Sequence, residues 1–539
     1  MSDTTPRRRG VLDIIELLGN KLPDPSALFL IGAVIVMIAS AIASNAGWQV
    51  QPKAPQRVVD EATGVASLVL VETGDPIEAK NLLTREGIFW CFNSMVDNFI
   101  NFPPLGIVLV GMLGIGIAER TGLISVLLRM FMLITPAKLL TPAMVFLGIM
   151  SSLASDAGYV VLPPLAALLY LAAGRSPLAG IAAVFAGVAA GFNANLVVTG
   201  LDPLLAEFTS DAAQIVDSEY VVAPTCNWAF MIASTFVVTL VGWAVSAWFV
   251  ERRLSKKPPE EGGPTPIDAE TLAAQKITPK ELRATLIAVL VGALTIGGII
   301  LLIAIPDAPL HGKVDPDSPR SFDRWVAVIV PLLMLGFIIP GLAYGVAMGT
   351  VRSSKDAAKM MVDSMAAMGP IIVLAFFAGQ FIEYFKYSNL GTMLAMTGGQ
   401  ALADANLPPQ ALIIVLILIT AAFNMFVGSM SAKYALFAPI FVPMLMLVGI
   451  SPELTQVAYR IGDSTTNIIT PLNAYLVIIL VFMQKYVPKA GMGTLVSIML
   501  PYSIVFTIVW SIMLVVWMTA GWSLGLPALT GPLEYIPAP

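Results

Sequence analysis

The chain has 539 residues, 57% of them hydrophobic and 12% charged, with a mean hydropathy of +0.83 and a formal net charge of −5. A soluble domain carries about 25% charged residues, so this composition excludes an ordinary water-soluble globule and leaves a membrane protein. The single histidine, His311, and the two cysteines, Cys91 and Cys226, exclude a histidine metal site, a Ser–His triad, a histidine proton relay and a disulfide framework.

Residues 1–25 read as a cytoplasmic tail carrying Arg7, Arg8 and Arg9. The run "ALFLIGAVIVMIASAIAS" (27–44) is close to the roughly 20 residues a membrane-crossing helix needs. It is too long for a signal-peptide core and is read as a retained first helix, 26–46. Further spans are expected at 88–118, 178–207, 226–250, 284–304, 323–346, 362–384, 454–483 and 491–519. Two other apolar stretches, 139–173 and 410–449, are too long for one helix. They are interrupted at "SSLASDAG" (151–158) and "GSMSAK" (428–433). Each reads as a re-entrant hairpin, whose non-helical tip must be covered by protein or water. Long continuous apolar runs exclude a barrel of short alternating strands. The expected fold is therefore an all-α polytopic membrane protein with nine transmembrane helices and two re-entrant helical hairpins.

The segment 251–283, with "KKPPEEGGPTP", is a polar linker. It divides a first half, 26–250, from a second, 284–519, and 520–539 forms the C-terminal tail. With the N-terminus inside, 20 of the 30 lysines and arginines fall in inner segments and 8 in outer ones, leaving Lys433 and Arg460 in the membrane. This matches the positive-inside rule and puts the C-terminal tail outside.

The halves resemble each other. "SDAGYVVLPPLAALLYLAAGRSPLAG" (155–180) aligns with "MSAKYALFAPIFVPMLMLVGISPELTQ" (430–456), pairing Tyr159 with Tyr434, Gly174 with Gly449, and Ser176-Pro177 with Ser451-Pro452. Each Ser-Pro supplies an N-cap and first residue for the next helix. "NLVVTGLD" (195–202) then aligns with "NIITPLN" (467–473) with one gap. The first hairpin opens inward and the second outward, so the repeat is inverted. Inverted repeats with broken helices meeting at mid-membrane mark secondary transporters.

The densest polar segment is "YRIGDSTTNIITPLN" (459–473). Arg460 and Asp463 are spaced to share a helix face. A lone arginine at mid-membrane costs at least ~2.5–3.5 kcal/mol, so the pair is either a self-neutralising structural contact or a site. In a site, Arg460 binds an anionic substrate through its planar fork, and Asp463 sets its rotamer or takes a proton. Pro471 breaks the helix. Asn467 and Thr470, with Asn193, Asn195, Thr199 and Gly200 of "GFNANLVVTGLD", offer hard oxygens suited to Na⁺. Their bland role is to satisfy broken backbone. Without an intramembrane histidine, any proton carrier must be a carboxylate. Asp202, with no basic neighbour in sequence, is the first choice, then Asp463. Asp156 is weaker, because it can simply cap the hairpin tip. Asn424, Ser429, Ser431 and Tyr434 surround the second tip, where Tyr434 could stack on an aromatic ring.

These segments, above all "SDAGYVVLPPLAA", "GSMSAKYALFAPIFVPML" and "YRIGDSTTNIITPLNAY", resemble the AbgT family, the p-aminobenzoyl-glutamate transporters. The resemblance covers nearly the whole chain. It implies a bowl-shaped homodimer in the bacterial inner membrane, with nine transmembrane helices and two hairpins per protomer. It also implies an ion-gradient-driven carrier of p-aminobenzoyl-glutamate or of sulfonamide antimetabolites. The family's functional positions fall on Asp202, Asn424, Ser431, Pro452, Arg460, Asp463 and Pro471. Where the family often has tryptophan, this chain has Tyr434.

The nearest rival is a sodium-coupled dicarboxylate carrier, which needs no aromatic contact. An intramembrane aspartyl protease has carboxylates available in Asp156, Asp202 and Asp463, but lacks the expected Tyr-Asp and Gly-X-Gly-Asp pair. No enzyme, nucleic-acid partner or cofactor beyond a bound Na⁺ is expected.

Overall fold

Within hydrocarbon a backbone must satisfy its own hydrogen bonds, and a helix does so without a partner. Helix dominates this chain accordingly. The computed structural model describes residues 25–59, 66–72, 74–154, 157–264, 277–316, 323–470, 472–473, 475–526 and 531–535. Asp156, Pro471, the N-terminal tail before residue 25 and much of the linker lie outside these.

Among the described residues, seven helices are long and apolar enough to cross a membrane: Ser26–Asn45, Trp228–Leu254, Pro279–Ala304, Ile329–Met348, Gly369–Tyr387, Met430–Leu447 and Met492–Thr519. The pair Leu109–Arg120 and Leu123–Phe131, bent by 65°, makes an eighth if taken as one span. Two expected spans begin later than the sequence suggested. Over 88–118 the chain forms helices Arg85–Asn93 and Met95–Ile100 before the longer Pro103–Arg120. Over 362–384 a helix Ser354–Ala367 ends before Gly369–Tyr387 begins. Both restarts carry a proline in the first turn, where its missing N–H costs nothing. The loop after the first helix also holds two antiparallel ribbons, Gln49–Val50 with Ile77–Glu78 and Lys53–Val59 with Ala66–Glu72, which an all-α expectation did not include.

Each stretch expected as a hairpin holds a pair of helices. The first joins Leu140–Met150, through a tight turn at Ser151–Ala154, to Ala157–Ala172. The second joins Pro409–Asn424 to Met430–Leu447, with the Ser429 hydroxyl capping the latter. Both expected broken helices are broken. The first runs Pro177–Phe185, loosens into a π turn at Ala186–Ala190, and resumes as Leu201–Ala213. The second runs Pro452–Thr466 and resumes as Tyr475–Gln484.

The repeat is visible in local geometry. Gly174 and Gly449 both take the left-handed conformation, φ 69° and 84°, where a side chain would be strained. Each is followed by a serine N-cap: Ser176 accepts from the Ala179 N–H and Ser451 from the Leu454 N–H. Each cap hydroxyl also donates outward, Ser176 to Gly262 O at 2.5 Å and Ser451 to Pro532 O at 2.7 Å. The linker thus closes over one repeat and the C-terminal segment over the other.

Hairpins pack on broken helices at backbone distance. A Cβ on Gly187 would lie 2.2 Å from Val145 O, and one on Gly462 would lie 2.4 Å from Ile417 O. This is the small-residue packing of membrane helices, which lack a hydrophobic drive to associate.

Candidate functional site

The helix Pro452–Thr466 is polar on one face yet buried along its whole length. Gln456, Arg460, Asp463 and Asn467 recur every three or four residues, so they project together. That face meets the first broken helix on one side and the second hairpin on the other.

The ion pairing differs from the i, i+3 expectation. Arg460 reaches Asp202, its Nη2 lying 2.6 Å from Asp202 Oδ1, with side-chain exposures of 5% and 1%. Asp463 instead holds Lys433, Nζ to Oδ1 at 2.6 Å, with both side chains essentially inaccessible. Asp202 therefore has a basic partner that its sequence neighbours did not reveal. Helical spacing put Arg460 and Asp463 on one face, but each found a stronger geometric partner on a different packed element.

Further bonds fix this arrangement. Asp202 Oδ2 accepts from the Thr199 N–H at 2.6 Å and its hydroxyl at 2.9 Å. Arg460 Nε donates to Gln456 Oε1 at 3.2 Å, and Nη1 lies 3.6 Å from Met231 Sδ. Gln456 Nε2 donates to Thr209 Oγ1 at 2.8 Å, and the Tyr434 hydroxyl shares that oxygen at 2.7 Å. Tyr434 is 1% exposed, with its ring against Tyr459 at 4.4 Å and its edge towards Phe208. In this conformation it is a core residue and presents no face to a ligand.

The two breaks meet, as the repeat predicted. Asn193 Nδ2 donates to Ser464 Oγ at 2.6 Å and to Arg460 O at 3.3 Å. Asn467 Nδ2 reaches Ala189 O at 3.4 Å. Asn424 Nδ2 donates to Asp463 O at 2.7 Å and Asn467 Oδ1 at 2.8 Å, tying the second hairpin to the second break. Asn195 Oδ1 is taken by the Ser152 hydroxyl at 2.8 Å, and Thr470 Oγ1 accepts from the Leu472 N–H. Among the described residues, no three His, Cys, Asp or Glu side chains are grouped to hold a metal. A cation here would rest on amide, hydroxyl and carbonyl oxygens. Asn193 Oδ1 and Thr465 Oγ1 are buried with no hydrogen-bond partner.

Next to these groups lies a cavity of about 240 Å³. Phe102, Phe192, Phe208 and Leu204 supply apolar wall, and Ser152, Gly200 and Ser431 bring polarity near the hairpin tips. Leu201 adjoins Asp202 in the chain, and Ser431 and Ala435 bracket Lys433 and Tyr434, so one member of each charge pair is carried by a segment that also lines the wall. Pro452 is buried at the start of the second broken helix and does not line the cavity.

Lys433 and Gln456 were missing from the sequence-based site. Both left a signal: a lysine inside an apolar hairpin helix, and a glutamine one turn before Arg460 on the same face.

A family model described as the AbgT putative transporter family matches residues 10–531. The chain is 34% identical over 511 residues, 95% of each chain, to the p-aminobenzoyl-glutamate transport protein of Escherichia coli K12. It also resembles two solved structures. The Alcanivorax borkumensis YdaH transporter, described as having an unusual topology, is 38% identical with a TM-score of 0.83, covering 94% of this chain and 100% of that one. Neisseria gonorrhoeae MtrF, presented as illuminating a class of antimetabolite efflux pumps, is 39% identical with a TM-score of 0.84, covering 98% of this chain and 100% of that one.

Proposed function

Because the chain belongs to the AbgT family and is a multi-pass membrane transporter rather than an enzyme, we propose that it is an ion-gradient-driven carrier of p-aminobenzoyl-glutamate, or an exporter of p-aminobenzoate-like antimetabolites such as sulfonamides. The observation that carries this reading is the Arg460–Asp202 pair. It joins the second broken helix to the first, deep in the protein, beside an aromatic-lined cavity.

The pair works as an exchangeable clamp. Arg460 is occupied by Asp202, so a substrate carboxylate binds by taking Asp202's place on the guanidinium fork. A proton delivered to Asp202 favours that exchange, and its loss favours release. The phenyl rings of Phe102, Phe192 and Phe208 suit the aromatic half of such a substrate. At about 240 Å³ the cavity is smaller than the ~300 Å³ lower end of drug-sized sites. The cavity must widen to admit a whole substrate of that size. Na⁺ held at the facing breaks, Asn193–Gly200 and Asn467–Thr470, is the alternative coupling ion.

In the bacterial inner membrane this reading places the N-terminus inside and the C-terminus outside, with nine crossings, two re-entrant hairpins and a homodimeric assembly. Purified protein in vesicles tests it, with Na⁺ and H⁺ gradients imposed separately and flux of p-aminobenzoyl-glutamate and a sulfonamide measured. Gradient-dependent flux of either supports the proposal. Succinate flux without either compound would favour a dicarboxylate carrier.

A further inference from the structure

The interface between Leu201–Ala213 and Pro452–Thr466 carries polar groups beyond the clamp. Leu201, Leu204 and Phe208 recur on one face of the first helix and line the cavity. Asp202 and Thr209 lie on a different face, towards the second broken helix. Three contacts cross that interface in succession. Arg460 meets Asp202, Gln456 Nε2 donates to Thr209 Oγ1 at 2.8 Å, and, past the end of Leu201–Ala213, Tyr220 meets Glu453. The Tyr220 hydroxyl lies 3.0 and 3.2 Å from the two Glu453 carboxylate oxygens, and Glu453 is only 3% exposed. Arg460, Gln456 and Glu453 are spaced four and three residues apart, so they follow one another along one helix face. Beyond Tyr220, the Tyr535 ring packs at 5.8 Å, and its hydroxyl donates to the half-buried Asp217 at 3.3 Å. A row of polar groups therefore runs from the clamp to the side that bears the C-terminal segment, the outer face under the proposed orientation.

The internal repeat shows that the fold does not need these groups. Under the pairing of Ser176 with Ser451, Glu453, Gln456 and Arg460 correspond to Leu178, Ile181 and Phe185, all buried. The first broken helix thus has the same serine cap and the same burial with an apolar face. A carboxylate in the first turn of a helix complements the helix dipole, but Leu178 fills that place without one, and burying a carboxylate is costly.

We propose that Glu453 is a proton-relay residue, passing protons between the outer face and Asp202 along the interface of the two broken helices while the substrate uses the cavity. It rests on the proton-driven clamp. A proton leaves the Glu453 carboxyl and the Asp202 carboxylate gains it, so Arg460 is freed for a substrate carboxylate. Glu453, left as a carboxylate, takes the next proton from the Tyr220 hydroxyl, which regains one from the outer solvent. Glu453 and Arg460 are seven residues apart, about 10 Å along a helix, so the hand-over needs groups between them. The Thr209 hydroxyl stands there on Gln456. Thr225 Oγ1 and Asn227 Oδ1, on either side of Cys226, are buried with no hydrogen-bond partner in the protein, the setting in which proteins hold internal water. Besides Tyr220, the titratable groups near Glu453 are Cys226 and Tyr434, with Asp202 and Arg460 deeper and Asp217 and Tyr535 nearer the surface. Glu534 pairs with Ile450 through its backbone and has an exposed side chain. Pro409–Asn424 and Met492–Thr519, also packed on this helix, bring no charged side chain.

The test uses the full-length protein in vesicles with a pH-indicator dye trapped inside. Counterflow of p-aminobenzoyl-glutamate at equal pH on both sides reads substrate movement, and the dye under an imposed pH gradient reads coupled proton movement. Glu453→Gln should lower proton movement by about tenfold or more, as loss of a positioned proton-transfer group does, while counterflow stays near wild type. Glu453→Asp, which keeps a carboxyl, should move more protons than Glu453→Gln. Tyr220→Phe keeps the ring and deletes the hydroxyl, so it should also slow proton movement, and it decides the matter if Glu453→Gln does not fold. Undiminished proton movement in Glu453→Gln, or in Tyr220→Phe where only that variant folds, overturns the relay. Equal loss of counterflow and proton movement also overturns it, since that marks a structural role. A wild type that moves substrate with no proton signal refutes the proton-driven clamp itself, whereas failure of the relay alone leaves the wild-type signal intact.

Discussion

Asp202→Asn separates the clamp from a merely structural ion pair. Asparagine keeps the shape of the carboxylate and an oxygen that can accept from Thr199, but removes the charge facing Arg460 at 2.6 Å. Stripping one partner from a buried pair costs ~3–5 kcal/mol when the other is left uncompensated. Here Arg460 keeps Gln456 Oε1 at 3.2 Å, while the single amide oxygen serves either Thr199 or Arg460 and not both. The loss therefore reduces to roughly one hydrogen bond to a charged group, ~1.5–3 kcal/mol. The same quantity enters binding with opposite sign. In wild type an incoming carboxylate must displace Asp202, whereas in the variant it meets an unneutralised guanidinium. Substrate affinity should rise by about tenfold to a hundredfold, at ~1.4 kcal/mol per tenfold. Calorimetric titration of p-aminobenzoyl-glutamate into purified protein reads the affinity, and thermal unfolding with and without that ligand reads the stability. The expected pattern is a less stable empty protein, tighter binding, recovery of stability on adding ligand, and loss of flux in vesicles. Weaker binding by a protein that remains folded would refute the exchange and make Asp202 a direct substrate ligand.

Other perturbations probe the frame and the surface. Gly187→Ala should sharply lower folded yield, because its new Cβ would meet Val145 O at 2.2 Å and overpacking of this kind costs ~1–3 kcal/mol or more; size-exclusion profiles with an unshifted monodisperse peak would contradict it. Ser451→Ala removes an N-cap worth ~0.5–2 kcal/mol and also frees Pro532 O, so proteolysis of the C-terminal segment should accelerate, and an unchanged cleavage rate would count against that anchor. Asp356, on the exposed helix Ser354–Ala367, has its carboxyl held below the usual range by the Arg352 backbone N–H and the Ser353 side chain. Its capping contribution is complete above the unfolded value of ~3.9 and fades as pH falls through the lower folded value. Hydrogen exchange at the start of this helix should therefore quicken at acidic pH in wild type, and Asp356→Ala should abolish that dependence.

Much of the architecture was legible in the chain because its signals are local. The apolar runs, the Gly-x-Ser-Pro steps at 174–177 and 449–452, and the polar interruptions at 191–200 and 467–473 each reflect a constraint that a few neighbouring residues impose on the backbone. Helix pairs and interrupted helices accordingly fall in those stretches. Less legible were the restarts at Pro103 and Gly369 and the short ribbons after the first helix. There apolar residues run through a change of backbone direction, and hydropathy does not register it.

The site divides along the same line. Composition, the histidine count and helical spacing singled out Arg460, Asp463 and Asp202, and all three are buried charges, which are costly in an apolar chain wherever they lie. Which charge neutralises which was decided only by tertiary structure. Periodicity determines the residues that share a face of Pro452–Thr466, but says nothing of what packs against that face. The first broken helix brings Asp202 to Arg460, and the second hairpin brings Lys433 to Asp463. The partners are separated by hundreds of residues in one case and by the connection between two successive helices in the other, and a Coulomb interaction depends on distance in space rather than along the chain.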